Sequence, residues 1–204
     1  MFCVEESKVD SEISTRTAIK EAALQAFCRL GFEHAKMRDI AQAAGVQVSV
    51  IYYHYASKED LYTEAVFDGI VALFAALRAR VSFARDRTLP AILADLLAVR
   101  SPANLTAQEA ALYRISILEW MGHRGDCALT RKLRDMIAAS RSEFLVGLQR
   151  RASATGANAD PMIADLVYRY LEHEAIRMLF DVAPFDRYAA ERELQHILSP
   201  VLPV

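Results

Sequence analysis

Apolar positions recur at helical spacing along almost the whole chain, and no stretch of useful length alternates as a strand does. The stripe Ile19, Ala22, Ala23, Ala26, Phe27 and Leu30 predicts a first helix from near Ser14, stopped at Gly31 with Phe32 packing behind it. Met37, Ile40, Ala41 and Ala44 predict a short second helix. Gly45 then supplies a left-handed turn that a side chain would resist, and Val46 anchors that turn in the core. A third short helix is expected from about Gln47 to Tyr53, with Ile51 and Tyr55 facing inward. Ser57 and Asp60 read as the cap of a long fourth helix carrying Leu61, Ala65, Ile70, Leu73, Phe74, Leu77 and Val81.

Five more helices follow. Thr88 and Pro90 open the fifth, which stops before Pro102. Thr106 and Glu109 make a capping box for the sixth, which runs to Gly122. Leu129, Leu133, Met136, Ile137 and Phe144 mark a seventh, ending by Gly156. Asp160-Pro161 starts an eighth, with Leu166, Val167, Tyr170, Leu171 and Met178, and Pro184 breaks it. The ninth follows from about Asp186, with Tyr188, Leu194, Ile197 and Leu198, before Pro200. Nine helices and no strand predict an all-α protein. Residues 1–13 carry little pattern and are expected to be a disordered tail. Residues 14–60 are expected to form a small domain with its own core around Phe27, Ile40 and Ile51, and residues 61–204 a larger bundle. Helix 4 joins the two and is the natural mechanical link.

The 204 residues are 53% hydrophobic and 25% charged, enough to bury a substantial core. A net charge of −2 excludes a generally basic nucleic-acid coat. Any nucleic-acid contact must rest on a few placed cations and backbone amides. Cys3, Cys28 and Cys127 are scattered and show neither a disulfide framework nor zinc spacing, so a reducing cytoplasm is the expected setting. No run has the length of a membrane helix and no apolar leader opens the chain.

The segment from Met37 to Lys58 reads as helix, glycine turn, helix, and the capped start of another helix. Helix–turn–helix geometry of this kind lays its second helix in the DNA major groove. Several runs strengthen the pattern: Ala26-Phe27 with Leu30-Gly31-Phe32, Arg38-Asp39-Ile40-Ala41, Ala44-Gly45-Val46, Ile51-Tyr52-Tyr53-His54-Tyr55, and Ser57-Lys58-Glu59-Asp60-Leu61. Together they resemble the TetR family of transcriptional regulators, over roughly Ile19 to Phe67. The chain departs from the family pattern at three places. Gln47 stands where Ser or Thr is common, Ser49-Val50 where Gly-Thr is common, and Lys36 where a hydroxyl usually precedes helix 2.

The resemblance implies a homodimer on a double-stranded DNA operator, most often a repressor released by a small-molecule effector. It also implies that residues 61–204 are the effector-binding and dimerisation domain. Lys58, beside free amides at the start of helix 4, is expected to meet phosphate. Tyr52 and His54 are expected at phosphate oxygens on the groove edge, and Tyr53 on sugar or a thymine methyl. Gln47, Val48 and Ser49 sit where side chains reach base edges; Gln can read adenine and Val only a methyl. Arg38 can reach a guanine or a phosphate, and Lys36 backbone. Each has an ordinary alternative in exposure, ion pairing or core packing.

In the larger bundle, Tyr113, Trp120, His123 and Tyr170 are, by residue type, candidates to line a partly apolar ligand pocket. Met162, Leu166, Tyr170, Leu194, Ile197 and Leu198 on helices 8 and 9 are candidates for a two-fold dimer interface. No cofactor or metal is implied. His173-Glu174 lacks the second His of the zinc-protease motif, since Arg177 holds that position. No glycine-rich phosphate loop and no Gly-x-Ser-x-Gly elbow occur, so an enzyme is not expected. Cys28 reads as a core thiol, and Cys127, near Arg124 and Arg131, as a more reactive one. The alternatives to a regulator are a helical small-molecule carrier or enzyme without specific DNA binding, and a DNA-bound factor that answers to a protein partner.

Overall fold

The computed structural model describes residues 3–81, 87–154, 161–180 and 185–199. The helix signals at Gly156, Asp160, Pro184 and Pro200 lie outside the described residues. Within them the chain is all-helical: α1 (Cys3–His34), α2 (Met37–Ala43), α3 (Val48–His54), α4 (Lys58–Ala79), α5 (Leu89–Ala98), α6 (Ala107–Trp120), α7 (Ala128–Ala154), α8 (Pro161–Phe180) and α9 (Arg187–Leu198), with a single 3-10 turn at Pro102–Asn104.

Most helix starts follow from their caps. The Ser57 hydroxyl accepts from the Asp60 amide at 3.1 Å, and the Asp60 carboxylate accepts from the Ala56 amide at 3.2 Å. Thr106 and Glu109 form the full reciprocal box that opens α6. Asp186 accepts from the amides of Tyr188 and Ala189 at the start of α9. At α2 and α3 the capping positions are Lys36 and Gln47, and neither side chain caps. Gly45 takes φ 69°, the left-handed conformation expected of the turn between them.

α1 differs from the expectation. It runs back to Cys3 and so takes in residues 3–13, which were expected to form a disordered tail. No Gly or Pro precedes Gly31, so nothing in the sequence stops the helix earlier. Gly31 itself breaks it, at φ 74° and ψ 171°, and a short helical piece continues to His34.

The small domain does not have a core to itself. Ile19, Phe27, Ile40, Ile51 and Tyr55 are continuous with Leu61, Tyr62, Ile70 and Leu77 of α4, Leu112 and Tyr113 of α6, and Leu129 and Leu133 of α7. α6 packs directly against α1 as well as α4. A second core joins Leu93, Ala94 and Leu97 of α5, Val167 and Met178 of α8, and Ala190, Leu194 and Leu198 of α9. Helix-period patterning marks which face is buried but not which neighbour covers it, so the continuity across the boundary was not legible in the sequence.

An ion cluster clasps α5 to α9. Asp95 pairs with both Arg87 and Arg187, and Arg187 also meets Glu191 at 3.0 Å. Burial works against the Asp95 charge, but the two arginines overcome it and hold the carboxyl below the usual aspartate range. A depressed carboxyl stabilises the fold above its unfolded pKa, and that contribution is lost as pH falls through the folded value. Asp95→Asn is therefore expected to cost about 1–3 kcal/mol at neutral pH and to flatten the acid limb of stability, read by urea melts between neutral and acid pH.

Candidate nucleic-acid interface

α2 and α3 meet through the Gly45 turn, and α3 divides cleanly into two faces. Ile51 is fully buried, Tyr55 after it is 1% exposed, and Val48 and Val50 pack partly against the same core. The other face projects outward: Tyr52 is 53% and Tyr53 74% exposed, and Gln47 and Ser49 at the start of the helix are exposed too. The Tyr53 and His54 rings meet edge-on at 5.0 Å. Two large exposed aromatics side by side on one short helix are polar-tipped, rigid contact groups of the kind a macromolecular surface uses.

Lys36 and Arg38 flank this face from the start of α2, both exposed. Lys58 stands at the first residue of α4 but is half-buried and tied back. Its ammonium donates to the Glu33 carbonyl at 3.2 Å and sits 4.5 Å from the centre of the Phe32 ring. Its charge is thus fixed at the junction of α1 and α4 rather than swinging free, and an ammonium has further donors for a phosphate. Val48, expected at a base edge, is half-buried and packs partly against the core, on the same helical face as Ile51 and Tyr55.

Behind the interface, the turn between α6 and α7 reaches into the α1–α4 junction. The Arg124 guanidinium lies 3.7 Å from the centre of the Phe32 ring and 4.7 Å from that of Tyr62, and bonds Glu59 at 2.7 Å. The Tyr62 hydroxyl donates to the buried Glu119 carboxylate at 2.9 Å, and burial raises its pKa strongly. One arginine thus bridges the end of α1, the start of α4 and the end of α6. Nothing in the helical periodicity marks Arg124, since it lies in a turn between Gly122 and Gly125 and its partners are distant in sequence.

The family model described as "Bacterial regulatory proteins, tetR family" matches residues 19–65, the stretch that holds α2, α3 and the start of α4. Residues 19–65 are a TetR-family segment. Sequence likeness to individual proteins is partial. The chain is 28% identical over 96 residues to the HTH-type transcriptional repressor ComR of Escherichia coli, covering 47% of this chain and 45% of that protein. It is 40% identical over 50 residues to the HTH-type transcriptional regulator AcrR of Shigella flexneri, covering 24% and 23%. The aligned stretches thus span less than half of either relative. The fold likeness is longer. A transcriptional regulator from Pseudomonas aeruginosa PAO1 superposes with a TM-score of 0.65 at 22% identity, over 90% of this chain and 88% of that one. The multidrug binding protein EbrR, solved in complex with proflavin, gives 0.62 at 21% identity, over 90% and 99%.

Outside the TetR-family domain, the four residues expected to line a ligand pocket do not converge. Tyr113 is buried in the first core, Trp120 is half-buried at the last residue of α6, and His123 is exposed in the turn beyond it. Tyr170 packs with the second core and lines a groove of about 380 Å³ between α8 and α9, with Arg192, Glu193, His196 and Ile197. Residue type alone could not separate the two cores.

The expected dimer residues divide as well. Met162 is 72% exposed and Leu166 51%, on one face of α8, and Tyr170 and Ile197 are half-buried. Leu194 and Leu198 are instead sealed within the chain, because they share with Ala190 the face of α9 that packs on α5 and α8. Cys28 is half-buried and its thiol is pushed up to about 11 by burial. The Cys127 sulfur faces the Glu119 carboxylate at 3.7 Å and the Thr130 hydroxyl at 3.2 Å. Among the described residues no helix is long and apolar enough to cross a membrane.

Proposed function

We propose that the protein is a homodimeric transcriptional repressor that lays α3 in the major groove of an operator and leaves it when a small, partly apolar effector binds the C-terminal bundle. The observation that carries this reading is the outward face of α3. A two-fold dimer would present two such faces, matched to half-sites about one helical turn apart, roughly 34–36 Å or a multiple of it. Tyr52, Tyr53 and His54 serve the phosphates and sugars at the groove edge, Gln47 and Ser49 the base edges, and Lys36, Arg38 and Lys58 the backbone. The exposed apolar positions Met162 and Leu166 on α8, with Tyr170 and Ile197 beside them, are the pairing surface for the second copy.

Release follows from the Arg124 bridge. A ligand that shifts α6 or α7 moves the guanidinium between Phe32, Tyr62 and Glu59 and so re-aims the α1–α4 junction. Coupling energies of about 1–3 kcal/mol are typical of such linkage and suffice to empty an operator. That a protein of the same fold was solved with proflavin supports a small-molecule effector.

Fluorescence anisotropy with duplex DNA flanking the protein's own gene tests the reading. A complex resistant to excess random duplex supports it, and uniform competition by any duplex removes it. Lys58→Ala is expected to weaken binding several-fold to every duplex alike and to reduce the salt slope by about one. An unchanged slope would mean that the Lys58 ammonium serves Glu33 alone.

A further inference from the structure

Charged side chains in the C-terminal helices are largely paired. Asp95 holds Arg87 and Arg187, Asp165 holds Arg141 and Arg169, and Glu174 holds Arg177. Arg100 stands apart. It follows the apolar run Leu96-Leu97-Ala98-Val99, and its guanidinium turns back to donate to the Leu96 carbonyl at 2.7 Å. Its electrostatic neighbours among the described residues are two phenols, Tyr113 of α6 and Tyr168 of α8, with no carboxylate. Its guanidinium carbon lies 5.9 Å from the centre of the Phe74 ring of α4, and Phe74 meets Tyr113 edge-on at 6.3 Å. Burial holds this guanidinium below the usual arginine range.

Tyr113 adds the second half of the site. It is 2% exposed and its hydroxyl has no hydrogen-bond partner among the described residues. A buried hydroxyl without a described partner and a half-buried cation without a described anion are each costly, and here they are neighbours. The Leu96 carbonyl accounts for Arg100 as a helix C-cap, but it accounts for one donor and leaves Tyr113 unexplained. Both groups offer protons: the Tyr113 hydroxyl to no described acceptor, the Arg100 guanidinium to the Leu96 carbonyl alone. A neutral ligand could accept from the hydroxyl and would leave the charge uncompensated, and a cation would be repelled. A carboxylate, sulfonate or phosphate oxygen satisfies both, with the aromatic rings taking an apolar body.

We infer that the effector is an organic anion with an apolar or aromatic body, its acid group held by Arg100 and Tyr113. This deepens the regulator reading and rests on it for the word effector, though not for the site itself. Two fluorescent probes that share one scaffold test it on the full chain: anilinonaphthalenesulfonate, and phenylnaphthylamine, which lacks the sulfonate. The sulfonate probe is expected to bind saturably and about tenfold or more tighter than its neutral analogue. Arg100→Met is expected to remove that advantage and to leave the neutral probe within about twofold, since only the charge-assisted bonds are lost. Tyr113→Phe should weaken the sulfonate probe several-fold, and Arg100→Lys should keep part of the preference; these two variants preserve the test should Arg100→Met not fold. Equal binding of the two probes by the wild-type protein overturns the inference. So does sulfonate binding indifferent to both Arg100→Lys and Tyr113→Phe. A specific DNA complex without any anion preference would overturn the anion site alone, whereas an anion preference without a specific DNA complex would overturn the regulator reading alone.

Discussion

Replacing Phe27 with Ala lowers stability by about 3–5 kcal/mol, the usual cost of emptying a sealed aromatic site. Phe27 is 1% exposed and meets Tyr62 edge-on at 4.9 Å and Phe32 stacked at 6.2 Å. Those two rings are also the ones on which Arg124 rests. The loss therefore falls on the small domain and on its seam with α6 at once. A drop in the melting temperature of roughly 6–20 °C is expected, given about 2–4 °C per kcal/mol for a chain of this size. DNA binding should go with it, because α3 is held by the same core through Ile51 and Tyr55. A melting temperature within a few degrees of wild type would show that the first core is not continuous in the way described.

The second large effect falls on binding and spares the fold. Tyr52→Ala with Tyr53→Ala is expected to reduce operator affinity by about a hundredfold, near 1.4 kcal/mol for each side chain. Stability should change by no more than about 0.5 kcal/mol, the range for surface positions. The asymmetry follows from exposure: neither ring is sealed in the core, whereas Ile51 between their backbones and the turn is completely buried. Anisotropy titration and a denaturant melt on the same preparation check both halves. A double variant that binds normally would remove the outward face of α3 from the DNA contact. One that unfolds would show that the two rings hold the fold.

What could be read from the sequence follows from the range of the signal. Caps and turns are local, and Ser57, Thr106, Gly45 and Asp186 act in the structure as their neighbours predict. The inward and outward faces of α3 are set by helical period, so the exposure of Tyr52 and Tyr53 was legible. That same period leaves Val48 half-buried. Partners distant in sequence leave no such trace. Leu194 and Leu198 look like Met162 and Leu166 in the sequence, yet α5 covers the first pair and leaves the second exposed. Arg124 and Arg100 carry no periodic mark at all. Arg100 had one faint sign, a charged residue closing the apolar run of α5.

A hydroxyl-radical footprint on duplexes selected from a random pool reads whether two copies of α3 engage one operator. Two protected patches are expected on one face of the duplex, centred about 34–36 Å apart or a multiple of that, with an inverted-repeat sequence and loss of both patches in the tyrosine double variant. Selection that enriches no sequence, or a single patch held by one subunit, would contradict that engagement.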